Sequence, residues 1–291
     1  MRFTIKLTAL LVLVMMITLF AAKGSDEMKK GEIFYTDGKY DRAIEWFEKA
    51  LEKEKDSSVL YLWLAKSYLA EMNNVSFFTK SMYSSDITKY LKLSIEKDPK
   101  NIEAYIYLAS YYFNAPAIGG GDKDEAWKLT EQISKLSTSE GHEIKGRFYT
   151  QDKQFDKALA EYDGLLRIDP KNAHAYYLKG ILYQEKKEFD KAFGSFEEAV
   201  KIDPPALESL YQIGRTAVFS GENLDRGIEC LSEYLKHEPD KTLPQHESVY
   251  WRLAMIYQMK KDNIKAKEMI RKAIAINPEN GDYKKLLKEL N

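Results

Sequence analysis

A small residue recurs at nearly constant intervals along most of this chain, and this recurrence constrains the fold more than any other feature. The intervals between successive copies are 34, 44, 37, 34, 34 and 40 residues. A period of about 20 to 50 residues indicates an array of small structural units, none of which buries its apolar face alone. The seven recurring positions are Gly31, Ala65, Ala109, Gly146, Gly180, Gly214 and Ala254.

The unit from Lys171 to Pro204 shows most clearly what is repeated. Its 34 residues predict two helices joined by a turn at Glu185–Glu188. Glycine within a helix costs about 1 kcal/mol relative to alanine, so we expect the two helix backbones to approach closely at Gly180, with the small Ala192 opposite. One stripe at helical spacing marks each helix: first Tyr176, Lys179, Gly180 and Tyr183, then Phe189, Ala192, Phe196 and Ala199.

The repeated unit resembles the tetratricopeptide repeat family, whose pattern is Trp, two residues, Leu-Gly, two residues, Tyr, then Ala, three residues, Phe and a final Pro. Seven registered copies cover about residues 24 to 278, with tyrosine usually in place of the tryptophan. The resemblance implies an all-α fold, a right-handed α-solenoid of helix hairpins over residues 23–278. It also implies that the first helix of each hairpin lines a concave groove.

The segment after Pro278 predicts a helix of a different kind. In residues 279–291, apolar side chains share one side of the predicted helix and lysines occupy the other. Such a helix covers the open apolar face of the last repeat and presents a polar side to water. We therefore predict a C-terminal capping helix whose apolar side is formed by Tyr283, Leu286, Leu287 and Leu290.

The first 22 residues predict a secretory signal peptide. Arg2 and Lys6 precede an apolar run of sixteen residues, from Leu7 to Ala22. The run is short for a bilayer span, which takes about 20 residues. We therefore expect an exported protein of bacterial type that is periplasmic, bound in the cell envelope or secreted. The alternative is that the run is not cleaved and residues 7–22 anchor the protein to a membrane.

Composition and motif content argue against nucleic-acid binding, metal binding and catalysis by this chain. The formal net charge is −1 with both signs interspersed, so we predict no nucleic-acid partner. The four histidines lack the spacing of metal ligands, and no serine nucleophile motif is present. Cys230 is the only cysteine, and we expect a half-buried inert thiol, with pairing between chains as the alternative. We predict no enzyme activity, no metal and no cofactor.

Two segments depart from the repeat period. Repeat two carries ten extra residues within Glu71–Asp86, which either extend a helix that packs on a neighbour or form a flap that touches a ligand. In repeat three, the run Gly119–Gly121 precedes a helix, where free amides bind phosphate in some proteins. The Lys-Ser/Thr ending of a phosphate loop is missing. We therefore interpret Asp122 and Glu125 as a capping box that starts this helix, after Pro116 has ended the previous one.

A second stripe on each first helix, one position after the core aromatic residue, is the candidate partner-binding surface. By resemblance to the family it faces the concave groove, and Tyr, Trp and Arg often anchor interfaces. The alternative is that these side chains fill a tight superhelix and touch no partner. The residues that we predict to contact a protein or peptide are Tyr35, Leu62, Phe113, Arg147, Tyr177, Tyr211, Arg215 and Trp251.

Taken with the resemblance, these features predict a non-catalytic scaffold that binds a protein or peptide after export. A second hypothesis is a membrane-tethered assembly factor whose repeats hold an envelope complex together. Some family members hold an acidic peptide C-terminus with a two-carboxylate clamp of Lys and Asn. That clamp is not predicted here, because Met28 and Glu32 occupy its positions in repeat one, and Tyr177 and Ile181 occupy them in repeat five.

Overall fold

The computed structural model describes residues 26–72 and 74–291, and its regular structure is helical, with no strand in these ranges. The all-α prediction is therefore confirmed. A short 3₁₀ turn, Ala117–Gly119, lies between α5 and α6. The helices are α1 (described over residues 26–36), α2 (Tyr40–Lys53), α3 (Ser58–Glu71), α4 (Phe77–Lys97), α5 (Ile102–Asn114), α6 (Lys123–Leu136), α7 (Thr138–Gln151), α8 (Phe155–Ile168), α9 (Ala173–Glu185), α10 (Phe189–Ile202), α11 (Leu207–Ser220), α12 (Leu224–Tyr234), α13 (His246–Met259), α14 (Asn263–Ile276) and α15 (Gly281–Glu289).

Consecutive helices pack against each other as the hairpins that the sequence predicts. The closest pairs in the described part are α3 with α4, α5 with α6, α9 with α10, α11 with α12, and α13 with α14. The turn between α9 and α10 lies where it was predicted, and Lys187 within it has a φ of 59°. Lys153 and Lys261 have φ of 58° and 61° at the same position of their hairpins, and Gly38 has 75°. A left-handed residue thus closes these four turns.

The chain divides into two compact units, Met1–Ile144 and Lys145–Asn291, and the division falls within α7. In the first unit, α2 packs on α3. Ala43 and Phe47 of α2 and Leu60 and Leu64 of α3 are all fully buried in one apolar cluster. These residues therefore form part of the core of the first unit.

The second unit contains a large apolar cluster of α10 to α13 and a smaller one at its C-terminal end. In the smaller cluster, α15 covers the apolar side of α13 and α14. Tyr283 and Leu286 of α15 are 3% and 5% exposed and pack with Ala254, Ala266 and Ile270, which are fully buried. This packing gives α15 the apolar inner side that the sequence predicts for residues 279–291.

The glycines that mark the repeat face large side chains, which corrects one expectation. A Cβ atom placed on Gly180 would lie 2.4 Å from the Phe196 ring, so the neighbour that requires glycine is Phe196 and not Ala192. Gly31 meets Phe47 in the same way at 2.5 Å. The close approach is therefore between a helix backbone and an aromatic ring, which fills the space that the missing side chain leaves.

The two departures from the period have structural explanations. The helix α4 has 21 residues where α10 has 14, so the extra residues of repeat two lengthen a helix. The helix α5 ends at Asn114, before Pro116, and Asp122 caps α6 by accepting a hydrogen bond from the amide of Glu125 at 3.0 Å. The helix boundaries predicted for repeat three are therefore confirmed.

The predicted signal peptide, residues 1–22, and the alternative anchor, residues 7–22, lie outside the described residues. Among the helices that are described, none combines the length and the apolar character that a transmembrane span requires.

Candidate functional site

The first-helix surface of the first unit is largely occupied by its own side chains. The rings of Tyr35 and Trp63 meet edge to face with centroids 5.2 Å apart. Lys66 Nζ lies 4.3 Å from the Trp63 ring, 5.4 Å from the Tyr107 ring and 2.9 Å from Glu103 Oε1. Burial raises the pKa of Tyr35 and of Tyr107 above their ordinary values. The cation of this surface is thus neutralised, and its aromatic rings cover one another.

Two predicted binding residues of this unit have little accessible surface. Leu62 is 6% exposed and Phe113 is 5% exposed. The Phe113 ring meets the Trp127 ring edge to face at 6.2 Å, and Lys123 Nζ lies 4.5 Å from the Phe113 ring. Side chains with so little exposed area contribute to the stability of the fold more than to an interface. A direct contact with a partner does not fit the burial of either residue.

In the second unit, the accessible face of α11 is rotated relative to the predicted stripe. Tyr211 and Val218 are 9% and 6% exposed, and the Tyr211 ring packs against Tyr234 of α12 with centroids 6.1 Å apart. Arg215 keeps part of its surface, and Phe219 is 48% exposed. Of the predicted residues on α11, the structure therefore leaves Arg215 accessible and places Tyr211 in the core.

An arginine–aromatic face, defined here as Arg215, Phe219, Trp251 and Arg252, joins the accessible sides of α11 and α13. The guanidinium carbons of Arg215 and Arg252 lie 4.9 Å and 5.7 Å from the Phe219 ring centroid. Arg252 also lies 4.9 Å from the Trp251 ring. Guanidinium groups stack on aromatic rings through electrostatic attraction. The four side chains therefore form one connected surface, with an exposed phenyl ring in contact with two cations.

Neither cation of this face has a carboxylate partner among the residues that the structure describes. Arg215 Nη1 donates to Gln184 Oε1 at 3.4 Å and to Gln212 Oε1 at 3.3 Å, and both acceptors are neutral. Arg252 Nε is buried and has no hydrogen-bond acceptor in the described part of the chain. Neither guanidinium forms an ion pair with a carboxylate of residues 26–72 or 74–291. The arginine–aromatic face therefore carries positive charge that the described part of the chain does not neutralise.

Arg226 of α12 shows how an arginine is neutralised in the same unit. It donates to both carboxylate oxygens of Glu197, at 2.7 Å and 2.8 Å, and lies 2.7 Å from Glu229 Oε2. The Glu197 hydrogen bonds raise the pKa of Arg226. A bidentate pair of this kind uses the donors of the guanidinium internally. The second unit can therefore pair an arginine with carboxylates. Arg215 and Arg252 differ from Arg226 because of where they lie on α11 and α13.

Three further predicted residues keep accessible surface. Trp251 is part of the arginine–aromatic face, and Arg147 is exposed in the portion of α7 that belongs to the second unit. Tyr177 is partly exposed; burial raises its pKa, and Gln212, which also accepts from Arg215, hydrogen-bonds to it. Tyr177 is thus linked through Gln212 to the arginine–aromatic face.

Sequence reasoning missed Phe219 and Arg252. Phe219 lies four residues after Arg215, which places the two on one side of α11. An aromatic residue one turn beyond an arginine of the predicted surface was the available signal. Arg252 directly follows Trp251 in the sequence, and no spacing rule identifies it, because its position depends on how α13 packs beside α11.

The metal-ligand types and the single cysteine are placed as follows in the described residues. No group of His, Cys, Asp and Glu among them suits a metal ion. Cys230 is 1% exposed, so it is fully and not half buried, and burial raises the pKa of its thiol to about 12. A thiol with so high a pKa stays protonated near neutral pH and is a poor nucleophile.

The glycine run of repeat three has no free amides for a phosphate. The backbone N–H groups of Gly119 and Gly121 donate to the carbonyl of Pro116 at 2.8 Å and 3.1 Å, and that of Gly120 donates to Ala117 at 3.0 Å. An anion site at a helix N-terminus needs donors that point outward. The loop therefore serves to connect α5 to α6, as the capping interpretation predicted.

Comparisons with protein families support a repeat architecture. A family model described as "TPR repeat" matches residues 146–187. Models described as "Tetratricopeptide repeat" match residues 29–58, 173–206 and 247–280. Hsp70-Hsp90 organizing protein 3 of Arabidopsis thaliana is 26% identical over 151 residues, which are 46% of this chain and 26% of that protein. The chain therefore spans about a quarter of the length of this relative.

Solved structures share the fold at low sequence identity. The type IV pilus biogenesis factor PilW matches with a TM-score of 0.59 and 18% identity over 79% of this chain and 98% of that chain. Yeast Tom70 matches with a TM-score of 0.61 and 19% identity over 92% of this chain and 56% of that chain. A chain of the Cut9-Hcn1 tetramer of APC/C matches with a TM-score of 0.60 and 18% identity, over 88% of this chain and 47% of that chain. At these identities the likeness shows the fold alone.

Proposed function

Because this chain belongs to the tetratricopeptide repeat family, we propose that it is a non-catalytic scaffold that binds a protein or peptide through the arginine–aromatic face of its second unit. Members of this family use repeated helix hairpins to present surface to other proteins. The curated relative is named as an organizing protein of two others. We carry over the scaffold role and not the identity of those partners.

The observation that carries the proposal is the set of contacts around Phe219. This ring is 48% exposed and lies between two guanidinium groups that have no carboxylate partner in the described residues. Aromatic and arginine side chains are the ones that most often dominate binding energy. A partner segment with an apolar side chain and an adjacent carboxylate would cover the Phe219 ring and neutralise Arg215 or Arg252.

A peptide selection tests the proposal. The full chain is immobilised, peptides are selected from a random displayed library, and the dissociation constant of the tightest synthetic peptide is measured. We expect Phe219→Ala and Arg252→Gln each to weaken binding by about tenfold or more, which is the size of effect that interface anchors show. The helical circular dichroism should stay that of the unmodified chain, because the Phe219 ring is half exposed.

Matched controls come from α14 in the same unit. Ile264 is 85% exposed and Arg271 is exposed, and neither belongs to the arginine–aromatic face. Ile264→Ala and Arg271→Gln should leave the dissociation constant unchanged. Selected peptides that bind the Phe219→Ala and Arg252→Gln variants as tightly as the unmodified chain would contradict the proposal, as would a library that gives no binding peptide.

We also propose that residues 1–22 direct export and that the partner is met in the periplasm, in the cell envelope or outside the cell. The support is the sequence itself, with Arg2 and Lys6 ahead of the apolar run from Leu7 to Ala22. The alternative is a membrane-tethered assembly factor that keeps this run. The mass of the protein purified from its native cells decides: loss of about 22 residues supports export with cleavage, and an intact N-terminus supports tethering.

A further inference from the structure

The two insertions that break the repeat period lie together in the first unit and form the walls of one groove, called here the insertion groove. Its cavity volume is about 510 Å³, which is within the range of small-molecule sites. Leu69 of α3 and Met72, which directly follows α3, line one part, and the lengthened α4 contributes Lys80 and Ser84. The loop after α5 contributes Pro116 and Ile118. Repeats without such insertions do not have the elements that build these walls.

Three of the polar groups that line the insertion groove are already hydrogen-bonded within the protein. The hydroxyl of Ser84 and the side-chain amide of Asn114 each donate to the carbonyl four residues earlier, at 2.9 Å and 2.8 Å. The Tyr111 hydroxyl donates to the carbonyl of Gly119 at 2.7 Å. A peptide main chain brings N–H and C=O groups that need partners of their own. A hydrocarbon chain has no such need, so these walls favour hydrocarbon over peptide.

Charge and exposure add two features to the groove. Lys80 is the charged side chain among the described residues that line it, and it forms no ion pair within residues 26–72 and 74–291. Ile118 is 85% exposed. Covering an exposed apolar side chain with a ligand is favourable, because apolar surface is removed from water. The groove therefore combines an uncovered apolar wall with one positive charge.

We propose that the insertion groove binds a free amphiphile that has a single hydrocarbon chain and an anionic head. The chain lies along Leu69, Met72 and Ile118, and the head pairs with Lys80. The cavity volume suits one chain, which makes a free single-chain anion the occupant and not a two-chain lipid within a membrane. This site is independent of the proposed peptide-binding function, which concerns the second unit.

Titration with three ligands of equal chain length tests the charge requirement. The full chain is titrated by calorimetry with dodecanoate, dodecanol and dodecyltrimethylammonium below their micelle concentrations. We expect dodecanoate to bind about threefold tighter than dodecanol, which is the effect of a partly exposed ion pair, and the cationic ligand to bind weakest. Lys80→Gln should remove the preference for dodecanoate, and Lys89→Gln, which changes an exposed lysine of α4 outside the groove, should keep it.

Two serine variants of α4 test the location. Ser81 lines the groove, whereas Ser85 does not, and both are exposed. We expect Ser81→Trp to weaken binding of dodecanoate by about tenfold, because an indole ring takes the place of several ligand methylene groups. Ser85→Trp should leave binding unchanged. Any amphiphile held elsewhere on the full chain responds to neither substitution.

Several results would overturn the proposal. Equal affinity of the unmodified chain and the Ser81→Trp variant for dodecanoate would place the amphiphile elsewhere. An unchanged preference for dodecanoate after Lys80→Gln would remove the role of the lysine. Dodecanoate could also fail to bind while apolar peptides or phosphatidylglycerol vesicles do bind. If Ser81→Trp abolished that binding, the groove would have a different occupant.

Discussion

The two units carry a cation at the same position of the repeat and use it differently. Lys66 in the first unit and Arg215 in the second each follow the small residue that marks the repeat. Lys66 donates to Glu103 at 2.9 Å, whereas Arg215 reaches two neutral side-chain amides. One surface is closed by an internal ion pair, and on the other the arginine contacts neutral amides only.

The sequence explains this difference through the following repeat. Glu103 lies six residues before Ala109, the small residue of repeat three, and Ser248 lies six residues before Ala254, the small residue of repeat seven. A serine therefore stands at the position that supplies the carboxylate in the first unit. In a repeat array, whether a cation is free thus depends on one residue in the next repeat as much as on the cation itself.

The largest effect should come from the tryptophans on the two surfaces. The Trp63 ring stacks on Phe47 at 5.4 Å and meets Tyr35 and Lys66, whereas the partly buried Trp251 lies beside Arg252 and 5.6 Å from the Tyr283 ring. We expect Trp63→Ala to lower the free energy of unfolding by about 3 kcal/mol, because it removes most of a packed ring. Trp251→Ala should cost about 1 kcal/mol and weaken binding of the selected peptide instead. Urea titrations and peptide binding of both variants measure this; equal destabilisation would show that both surfaces are structural.

Supplying the missing carboxylate should close the second surface. We expect Ser248→Glu to weaken binding of the selected peptide by about tenfold, because the new carboxylate competes for Arg215, and charged hydrogen bonds are worth about 1.5 to 3 kcal/mol. The measurement is the dissociation constant of the full-length variant.

The control for this variant is Ser248→Ala, because Ser248 also hydrogen-bonds to Tyr283. That variant removes the hydrogen bond without adding charge and should bind the peptide as the unmodified chain does. Equal losses in the two variants would mean that Ser248 acts through Tyr283, and the proposed parallel between Glu103 and Ser248 would be wrong.

The repeat period predicted the helices well because the fold repeats one local solution. The register that aligns Gly180 with Gly31 also aligns Phe196 with Phe47, and each glycine faces the aromatic ring of its own hairpin. The partner of Gly180 was misassigned to Ala192, since spacing shows that a backbone must come close but not which side chain approaches it. An aromatic ring one turn further along fills the space better than a methyl group does.

The binding surface was harder to predict than the helices. Tyr211 and Phe219 both lie on α11, but Tyr211 is buried and Phe219 is half exposed. A stripe drawn on one helix does not include the neighbours that cover it, and Tyr234 of α12 covers part of Tyr211. The pairing of Lys66 with Glu103 spans 37 residues, so a reading of single helices does not find it. In a repeat array, the exposed fraction of a side chain depends on the neighbouring helices and repeats that pack against it.

The turns offer a comparison of backbone strain between the units. Gly38 of the first unit and Lys187 of the second occupy the same turn position, with φ of 75° and 59°. We expect Gly38→Lys to destabilise the protein by about 1 kcal/mol, because a side chain at positive φ is strained. Apart from the two adjacent residues, no described residue has an atom within 4 Å of the added Cβ. Lys187→Gly relieves the same strain, but glycine gains entropy in the unfolded chain, which opposes folding. We therefore expect it to stabilise the protein by only about 0.5 kcal/mol. Urea midpoints check both; changes of the same sign would show that side-chain contacts and not strain dominate.

The smallest effect should come from opening the surface of the first unit. Glu103→Ser removes the partner of Lys66, and we expect a loss of about 0.5 kcal/mol in the free energy of unfolding, because partly exposed ion pairs contribute little. The more informative measurement is binding.

The binding experiment uses a chain in which Phe219→Ala and Arg252→Gln have removed the second site. If the free cation is what distinguishes the two surfaces, adding Glu103→Ser to this chain should give weak affinity for the selected peptide. That affinity should fall as salt rises from 50 to about 500 mM, because charges at a surface are screened. A variant that stays unable to bind would show that the arginine stacking on Phe219, and not the unpaired charge, makes the second unit a binding surface.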